Sequence, residues 1–213
     1  MAQFFQIHPD NPQARLIKRT VEILQTGGVI VYPTDSTYAL GCAIGDKDAV
    51  ERIRAIRHLP EQHNMTLVCR DLSEIATYAR IDNQSYRLLK TFTPGPYTFI
   101  FQATKQVPKR LQHPKRKTIG IRIPNHVVTE ALLTELGTPM ISTTLQLPET
   151  EHPLTDPQEI RKILDTRVEA IIDGDFCGLQ ETTVVDLSGD NPQILRVGKG
   201  DPTHFERRAG AEI

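Results

Sequence analysis

Val29-Ile30-Val31-Tyr32-Pro33-Thr34-Asp35-Ser36-Thr37-Tyr38-Ala39-Leu40-Gly41 is the stretch on which the fold turns. Its first four residues are apolar and mostly β-branched with no polar alternation, so they read as a strand buried on both faces. From 33 to 41 the chain reads as a loop. It carries four hydroxyls, Thr34, Ser36, Thr37 and Tyr38, and one acid, Asp35. Hydroxyls at a strand end hold small polar ligands by hydrogen bonds without adding charge. Gly41 allows a close backbone approach. One reading makes this loop the first wall of a cleft for an anionic ligand; the other is an ordinary polar turn.

Upstream, Asn11-Pro12 has the form of an N-cap followed by proline at the first helical position. Ile17, Val21 and Leu24 then recur at helical spacing, and Gly27-Gly28 closes the helix. Downstream, Asp46 caps a helix whose inner face carries Val50, Ile53 and Ile56 and which Pro60 ends. A strand follows over 65–69. Asp71-Leu72-Ser73-Glu74 has capping-box spacing and starts a short helix. Another helix runs through Tyr86, Leu89 and Lys90 until Pro94-Gly95-Pro96 breaks it. Strands are expected over 97–102, 118–123, 140–144, 168–172, 183–187 and 193–197. Helices are expected over 127–136, closed by Gly137, and over 156–164, with Asp156 as cap and Pro157 first. The tail beyond Lys199 is polar and reads as loose. Strands and helices alternate early and strands dominate late, which predicts an α/β mixed sheet with flanking helices rather than a pure doubly wound fold. No internal repeat or linker interrupts it. The expectation is a single domain over 1–213, with a core from about 9 to 201 and a polar tail over 202–213.

A chain of 213 residues buries roughly 70% of its unfolded surface and needs neither disulfide nor metal to fold. Its three cysteines, Cys42, Cys69 and Cys177, are odd in number, lack metal-ligand spacing and lie in or beside apolar stretches. They read as small core residues of a protein in a reducing compartment. The N-terminus has no basic leader, and the apolar runs at 27–31 and 97–101 fall far short of the roughly 18 residues a membrane helix needs. The expected location is cytoplasmic, with no membrane partner.

The net charge of −1 hides an asymmetry. From 83 to 129 there is no acid but nine bases: Arg87, Lys90, Lys105, Lys109, Arg110, Lys115, Arg116, Lys117 and Arg122. The remainder carries 16 bases against 26 acids. Such a division points to a phosphate or nucleic-acid partner, or else to a solvated basic face. Ile119-Gly120-Ile121-Arg122-Ile123-Pro124 places one arginine on an apolar strand, where its fork suits a carboxylate or phosphate; the alternative is an edge-strand surface arginine. Thr182-Thr183-Val184-Val185-Asp186, Leu195-Arg196-Val197-Gly198 and Ser142-Thr143-Thr144 each put polar groups at a strand end. Pro94-Gly95-Pro96-Tyr97-Thr98 either presents backbone N–H groups to an anion or simply breaks a helix. Neither a P-loop nor a G-x-G-x-x-G motif is present, and no His, Cys or Asp cluster has metal-ligand spacing.

In order along the chain, Tyr32-Pro33-Thr34-Asp35-Ser36-Thr37-Tyr38-Ala39-Leu40-Gly41, Thr93-Pro94-Gly95-Pro96-Tyr97-Thr98, Gly120-Ile121-Arg122-Ile123-Pro124, Pro139-Met140-Ile141-Ser142-Thr143-Thr144, Thr182-Thr183-Val184-Val185-Asp186 and Ile194-Leu195-Arg196-Val197-Gly198 together resemble the YrdC/YciO family, home of threonylcarbamoyl-adenylate synthases. Phe4-Phe5-Gln6-Ile7-His8-Pro9-Asp10-Asn11-Pro12 and Arg57-His58-Leu59-Pro60 resemble its YciO branch most closely. The resemblance implies an open twisted α/β sheet with a positively charged concave face. It implies an enzyme that joins L-threonine, bicarbonate and ATP, with Mg²⁺, into threonylcarbamoyl-AMP and pyrophosphate for tRNA adenosine modification. It would place Thr34, Tyr38, Thr66, Arg122 and Thr183 around threonine, with Arg122 on its carboxylate. Arg57 would be catalytic and meet the ATP phosphates, and Ser142, Thr144 and Arg196 would hold the nucleotide. No protein side chain would ligate the metal. The concave face is also implied as a surface for tRNA or double-stranded RNA, through Lys109, Arg110, Lys115, Arg116 and Lys117.

Two positions depart from the synthase pattern. Synthases place a Lys and an Arg two apart before a Pro, where this chain has Arg57 and Leu59. They end the Ser-Thr strand with Ser-Ala-Asn, where this chain has Thr144-Leu145-Gln146. Losing a cation that faces phosphate costs transition-state stabilisation. The open alternatives are therefore a weak synthase, an RNA-binding paralogue without synthase activity, or a protein that binds ATP or AMP and hydrolyses an adenylate.

Overall fold

Side chains of a strand alternate between the two faces of its sheet, and here the two faces have different fates. The computed structural model describes residues 1–60, 63 and 65–209. Its strands are β1 (Gln3–Gln6), β2 (Ile30–Tyr32), β3 (Ala39–Ala43), β4 (Thr66–Val68), β5 (Tyr97–Gln102), β6 (Thr118–Arg122), β7 (Met140–Thr144), β8 (Ala170–Asp173), β9 (Thr183–Asp186) and β10 (Gln193–Arg196). They form one mixed sheet in the order β1-β8-β2-β3-β7-β4-β6-β5-β9-β10. The helices are α1 (Ala14–Gln25), α2 (Lys47–Arg57), α3 (Leu72–Tyr78), α4 (Asn83–Phe92), α5 (Val127–Leu136), α6 (Pro157–Leu164) and α7 (Thr203–Ala209).

On the first face, Leu40, Leu67, Phe99, Ile121, Ile141 and Val185 pack against α2, α3, α4, α6 and α7 through Val50, Ile53, Ile75, Leu89, Ile160 and Phe205. On the second, Ile30, Tyr32, Ala39, Val68, Met140 and Ile172 pack against Ile17, Val21 and Leu24 of α1 and Val128 and Leu132 of α5. Neither cluster takes in Thr66, Thr98 or Ser142. Two helices thus cover only part of the second face, and the stretch around β7, β4, β6 and β5 is left open.

Caps fix the helix starts. Asp46, Asp71 and Asp82 accept from the backbone N–H three residues on, Ala49, Glu74 and Ser85, at 2.9, 2.9 and 2.7 Å. Asp156 accepts from Gln158. Gly137, at φ 71°, ends α5.

The structure corrects three expectations and adds one edge strand that the sequence reading did not propose. α1 starts at Ala14, and its N-cap Gln13 makes no side-chain cap; the Asp10 and Asn11 N–H groups instead donate to His8 Nδ1, so Asn11-Pro12 lies in a turn before the helix. The loop after β2 stops at Tyr38, because Ala39–Ala43 form a strand antiparallel to both β2 and β7. Gln3–Gln6 form an edge strand parallel to β8. The tail is not loose as far as Ala209: α7 forms, and its Phe205 is fully buried, with ring centroids 4.9 Å from Phe92 and 6.0 Å from Phe99. Residues 210–213 lie outside the described residues. No helix among the described residues is long and apolar enough to cross a membrane.

Candidate functional site

The open part of the sheet is the floor of a cavity of about 390 Å³, a size suited to a small-molecule ligand. Gly41, Ser142, Thr66, Gly120 and Ile100 stand in register across β3, β7, β4, β6 and β5. From Gly41 to Gly120 the row is small, with hydroxyls at Ser142 and Thr66, where a closed sheet would be large and apolar. A Cβ on Gly120 would lie 3.2 Å from Thr66 Oγ1 and 3.4 Å from Thr98 Cγ2, so a side chain there would grow into the floor. Arg57, His63 and Gln146 line one side; Glu181, Thr182, Leu195 and Arg196 line another.

Of the nine residues assigned to threonine or nucleotide in the sequence, six meet in this cavity: Arg57, Thr66, Arg122, Ser142, Thr144 and Arg196. Arg57 donates from Nε to the Gln146 carbonyl at 2.8 Å and from Nη1 to Thr143 Oγ1 at 2.7 Å. Burial lowers its pKa, Glu181 opposes that, and Arg196 adds to it. Arg196 pairs with Glu181 at 2.6 Å and donates to the Thr182 carbonyl. Arg122 is buried; it forms an ion pair with Asp35 and points both terminal nitrogens at Ser36 Oγ at 3.4 Å. Its Nε is buried without a partner. Asp35 is held in turn by the Asn125 N–H at 3.0 Å. Burial, then Arg57 and Arg54, lower the pKa of His63, which favours the neutral imidazole.

Three predicted threonine-site hydroxyls are committed elsewhere. Thr34 Oγ1 donates to the Thr37 carbonyl at 2.6 Å and accepts from the Ser36 and Thr37 N–H groups, so it builds the turn from within. Tyr38 O–H donates to the Asp175 carbonyl at 2.6 Å and accepts from Gly174 N–H, bracing the loop after β8. Thr183 is fully buried and ties to the Gly200 carbonyl and the Gly198 N–H. Its neighbour Thr182 lines the cavity instead. Sequence reasoning missed Glu181 and His63, and it quoted Thr98, Thr143 and Thr182 inside strand-end motifs without giving them a role in the site.

The five residues expected to bind RNA, all in the β5–β6 connection, do not share one surface. Arg110 donates to the Gly45 carbonyl, near Cys42 on the helix-covered face. Arg116 reaches Asp186, which by alternation shares the face of cavity-lining Val184. Lys117 turns its amine back to the Pro114 carbonyl at 2.6 Å. Lys109 and Lys115 are exposed.

A family model described as "Sua5_yciO_yrdC: Telomere recombination" matches residues 22–198. The chain belongs to the Sua5/YciO/YrdC family. Within that family, a Haemophilus influenzae protein described as uncharacterized is 59% identical over 96% of this chain and all of its own. The crystal structure of Escherichia coli YciO, 56% identical, superposes with a TM-score of 0.93 over 96% of this chain and all of that one. A threonylcarbamoyl-AMP synthase of Halorhodospira halophila is 28% identical over 79% of this chain and 88% of its own. The structure of P. abyssi Sua5 complexed with L-threonine superposes with a TM-score of 0.89 over 97% of this chain and 61% of that one, at 23% identity, and shares the fold. Of the two positions at which the sequence departs from the expected synthase pattern, Leu59 is half-buried against the main core. Gln146 lines the cavity, and its amide is engaged by the Thr150 and Glu151 carbonyls.

Proposed function

We propose that this cavity binds ATP and L-threonine and makes threonylcarbamoyl-AMP, at a rate reduced by the loss of one cation at Leu59. The observation that carries the reading is the convergence of Arg57, Arg196 and Arg122 on a hydroxyl floor, in a chain with relatives that are named threonylcarbamoyl-AMP synthases.

The reaction asks for little covalent help. The threonine amine and bicarbonate give a carbamate with loss of water; a carbamate oxygen attacks the α-phosphorus, and pyrophosphate leaves with the bonding electrons. The protein must align the two ligands and neutralise charge on the phosphates. Arg57 and Arg196 stand close enough to interact electrostatically and are placed for the phosphates. Arg122 enters from the side of the 33–38 turn and would take the amino-acid carboxylate with the guanidinium fork that Asp35 holds in place. Among the described residues lining the cavity, Glu181 is the one carboxylate, and it is paired with Arg196. The site thus offers Mg²⁺ little beyond the triphosphate that would carry it, where it would neutralise charge.

Incubation with ATP, L-threonine and labelled bicarbonate tests this. Threonine-dependent pyrophosphate is expected; none above a protein-free blank would sink the proposal.

A further inference from the structure

We propose that His63 is a conditional cation of this cavity: neutral in the free protein, it takes one proton from solvent when a polyphosphate binds beside Arg57, and so supplies a charge that Leu59 does not. The inference deepens the nucleotide reading above and rests on it. His63 lines the cavity on the same side as Arg57 and is half-buried. Its backbone N–H donates to the Pro60 carbonyl at 2.9 Å, which keeps it next to Leu59, where the expected synthase pattern has a cation. Among the described residues neither ring nitrogen has a hydrogen-bond partner, so the imidazole is open to a ligand.

The charges around the ring decide its state. From α2, Arg57 acts on it, and so does Arg54, which also holds Glu51 at 3.9 Å. From the segment before β9, Glu181 acts on it, already paired with Arg196 of β10 at 2.6 Å. The β7 side of the cavity, Ser142, Thr143, Thr144 and Gln146, brings no ionisable group. Burial, Arg57 and Arg54 outweigh Glu181 and hold the imidazole below its ordinary pKa, so the free protein carries it neutral at pH 7.

A wall with this excess of positive charge separates anions by charge count. L-Threonine is a zwitterion whose ammonium cancels its carboxylate, so it offers little to offset a further cation. A triphosphate brings several negative charges and leaves a surplus after the arginines are met. An opposite charge within about 4–6 Å moves a pKa by about 1–3 toward the charged form, enough to carry His63 through neutrality. Both ring nitrogens are then donors. The bound value lies above the free one, so binding takes up a proton, and affinity rises as the pH falls from the bound value toward the free one.

Calorimetric titration with ATP and Mg²⁺, and separately with L-threonine, in buffers of different ionisation heat counts the protons taken up. The unaltered protein, His63→Gln and His63→Lys are compared; the nucleotide's own titration is common to all three and cancels in the differences. At pH 7, ATP binding is expected to take up about 0.5 proton more in the unaltered protein than in His63→Gln, and L-threonine binding no more. From pH 8 to 6.5 the ATP affinity of the unaltered protein should rise about 5-fold more than that of His63→Gln. His63→Lys carries its charge permanently, so at pH 8 it should bind ATP more tightly than His63→Gln and show no extra uptake; a merely structural role for the imidazole would not give that rescue. Equal uptake by the unaltered protein and His63→Gln overturns the inference, as does a His63→Lys variant no tighter than His63→Gln, or extra uptake with L-threonine in place of ATP. ATP binding without extra uptake removes this inference alone, whereas no ATP binding by the unaltered protein removes the nucleotide reading and this inference with it.

Discussion

Replacing Asp35 by alanine should be among the costliest single changes in this protein outside its apolar core. The Asp35 and Arg122 side chains are 9% and 10% exposed, and each is the other's ion-pair partner. Removing the carboxylate leaves a guanidinium in the protein interior with Ser36 Oγ at 3.4 Å as its remaining contact. Breaking one side of such a buried pair costs about 3–5 kcal/mol. The Asn125 N–H also loses its acceptor, but that residue is exposed and water replaces the carboxylate. For a chain of this size each kcal/mol corresponds to about 2–4 °C, so the midpoint of thermal unfolding should fall by about 10 °C. Circular dichroism melts of Asp35→Ala and of Asp35→Ala/Arg122→Met decide the cause. Removing both charges should restore most of the loss, because an apolar pair carries no stranded charge. A single variant within 2 °C of the parent (roughly 1 kcal/mol on the same scale), or a double variant no more stable than the single, would refute the reasoning.

Three further outcomes follow from the packing. Gly41→Ala would set a Cβ 2.7 Å from the buried Tyr32 ring, and urea unfolding should show a loss of about 1–3 kcal/mol; a neutral effect would mean the ring can shift. Phe205→Ala should cost about 3–5 kcal/mol and expose the α7 segment to proteolysis, because Phe205 is the residue that seats it on Phe92, Tyr97 and Phe99. His126 carries a buried Nδ1 without a partner, and burial lowers its pKa against the opposing pull of Asp35. Its folded value lies below its unfolded one, so the unfolded chain protonates first, and stability should fall as the pH drops below about 6.5. Denaturation at pH 7.5 and 5.5 should show His126→Asn losing part of that slope, and an unchanged slope would exclude His126 as its source.

Sequence reading succeeded where one physical signal dominated. β5 has aromatics at every second position, α5 ends on a glycine and β7 opens directly after Pro139, and the structure gives all three the expected bounds. β3 was invisible because Ala39-Leu40-Gly41-Cys42-Ala43 is short and small-sided; its strand character comes from β2 and β7 on either side, a tertiary cause. α7 was lost because Phe205 is a single apolar residue in a polar run. At the site, the two adjacent threonines 182 and 183 leave the phase of the strand undecided until β9 pairs with β5. Thr98 could have been found, since it is the polar residue between Tyr97 and Phe99, both of which face the core. The Tyr32–Ser142 hydrogen bond could not, because its partners are 110 positions apart.

The strand order also carries a consequence for biosynthesis. β1 lies against β8, with Gln6 and Asp173 separated by 167 positions, and β9 and β10 complete the sheet beyond β5. The cavity takes Thr182 and Arg196 from that last part of the chain. A ribosome releasing the polypeptide from its N-terminus therefore delivers this wall of the pocket after the floor residues have emerged. A ligand that needs both walls would bind only chains extended past Arg196 and would favour those over shorter ones.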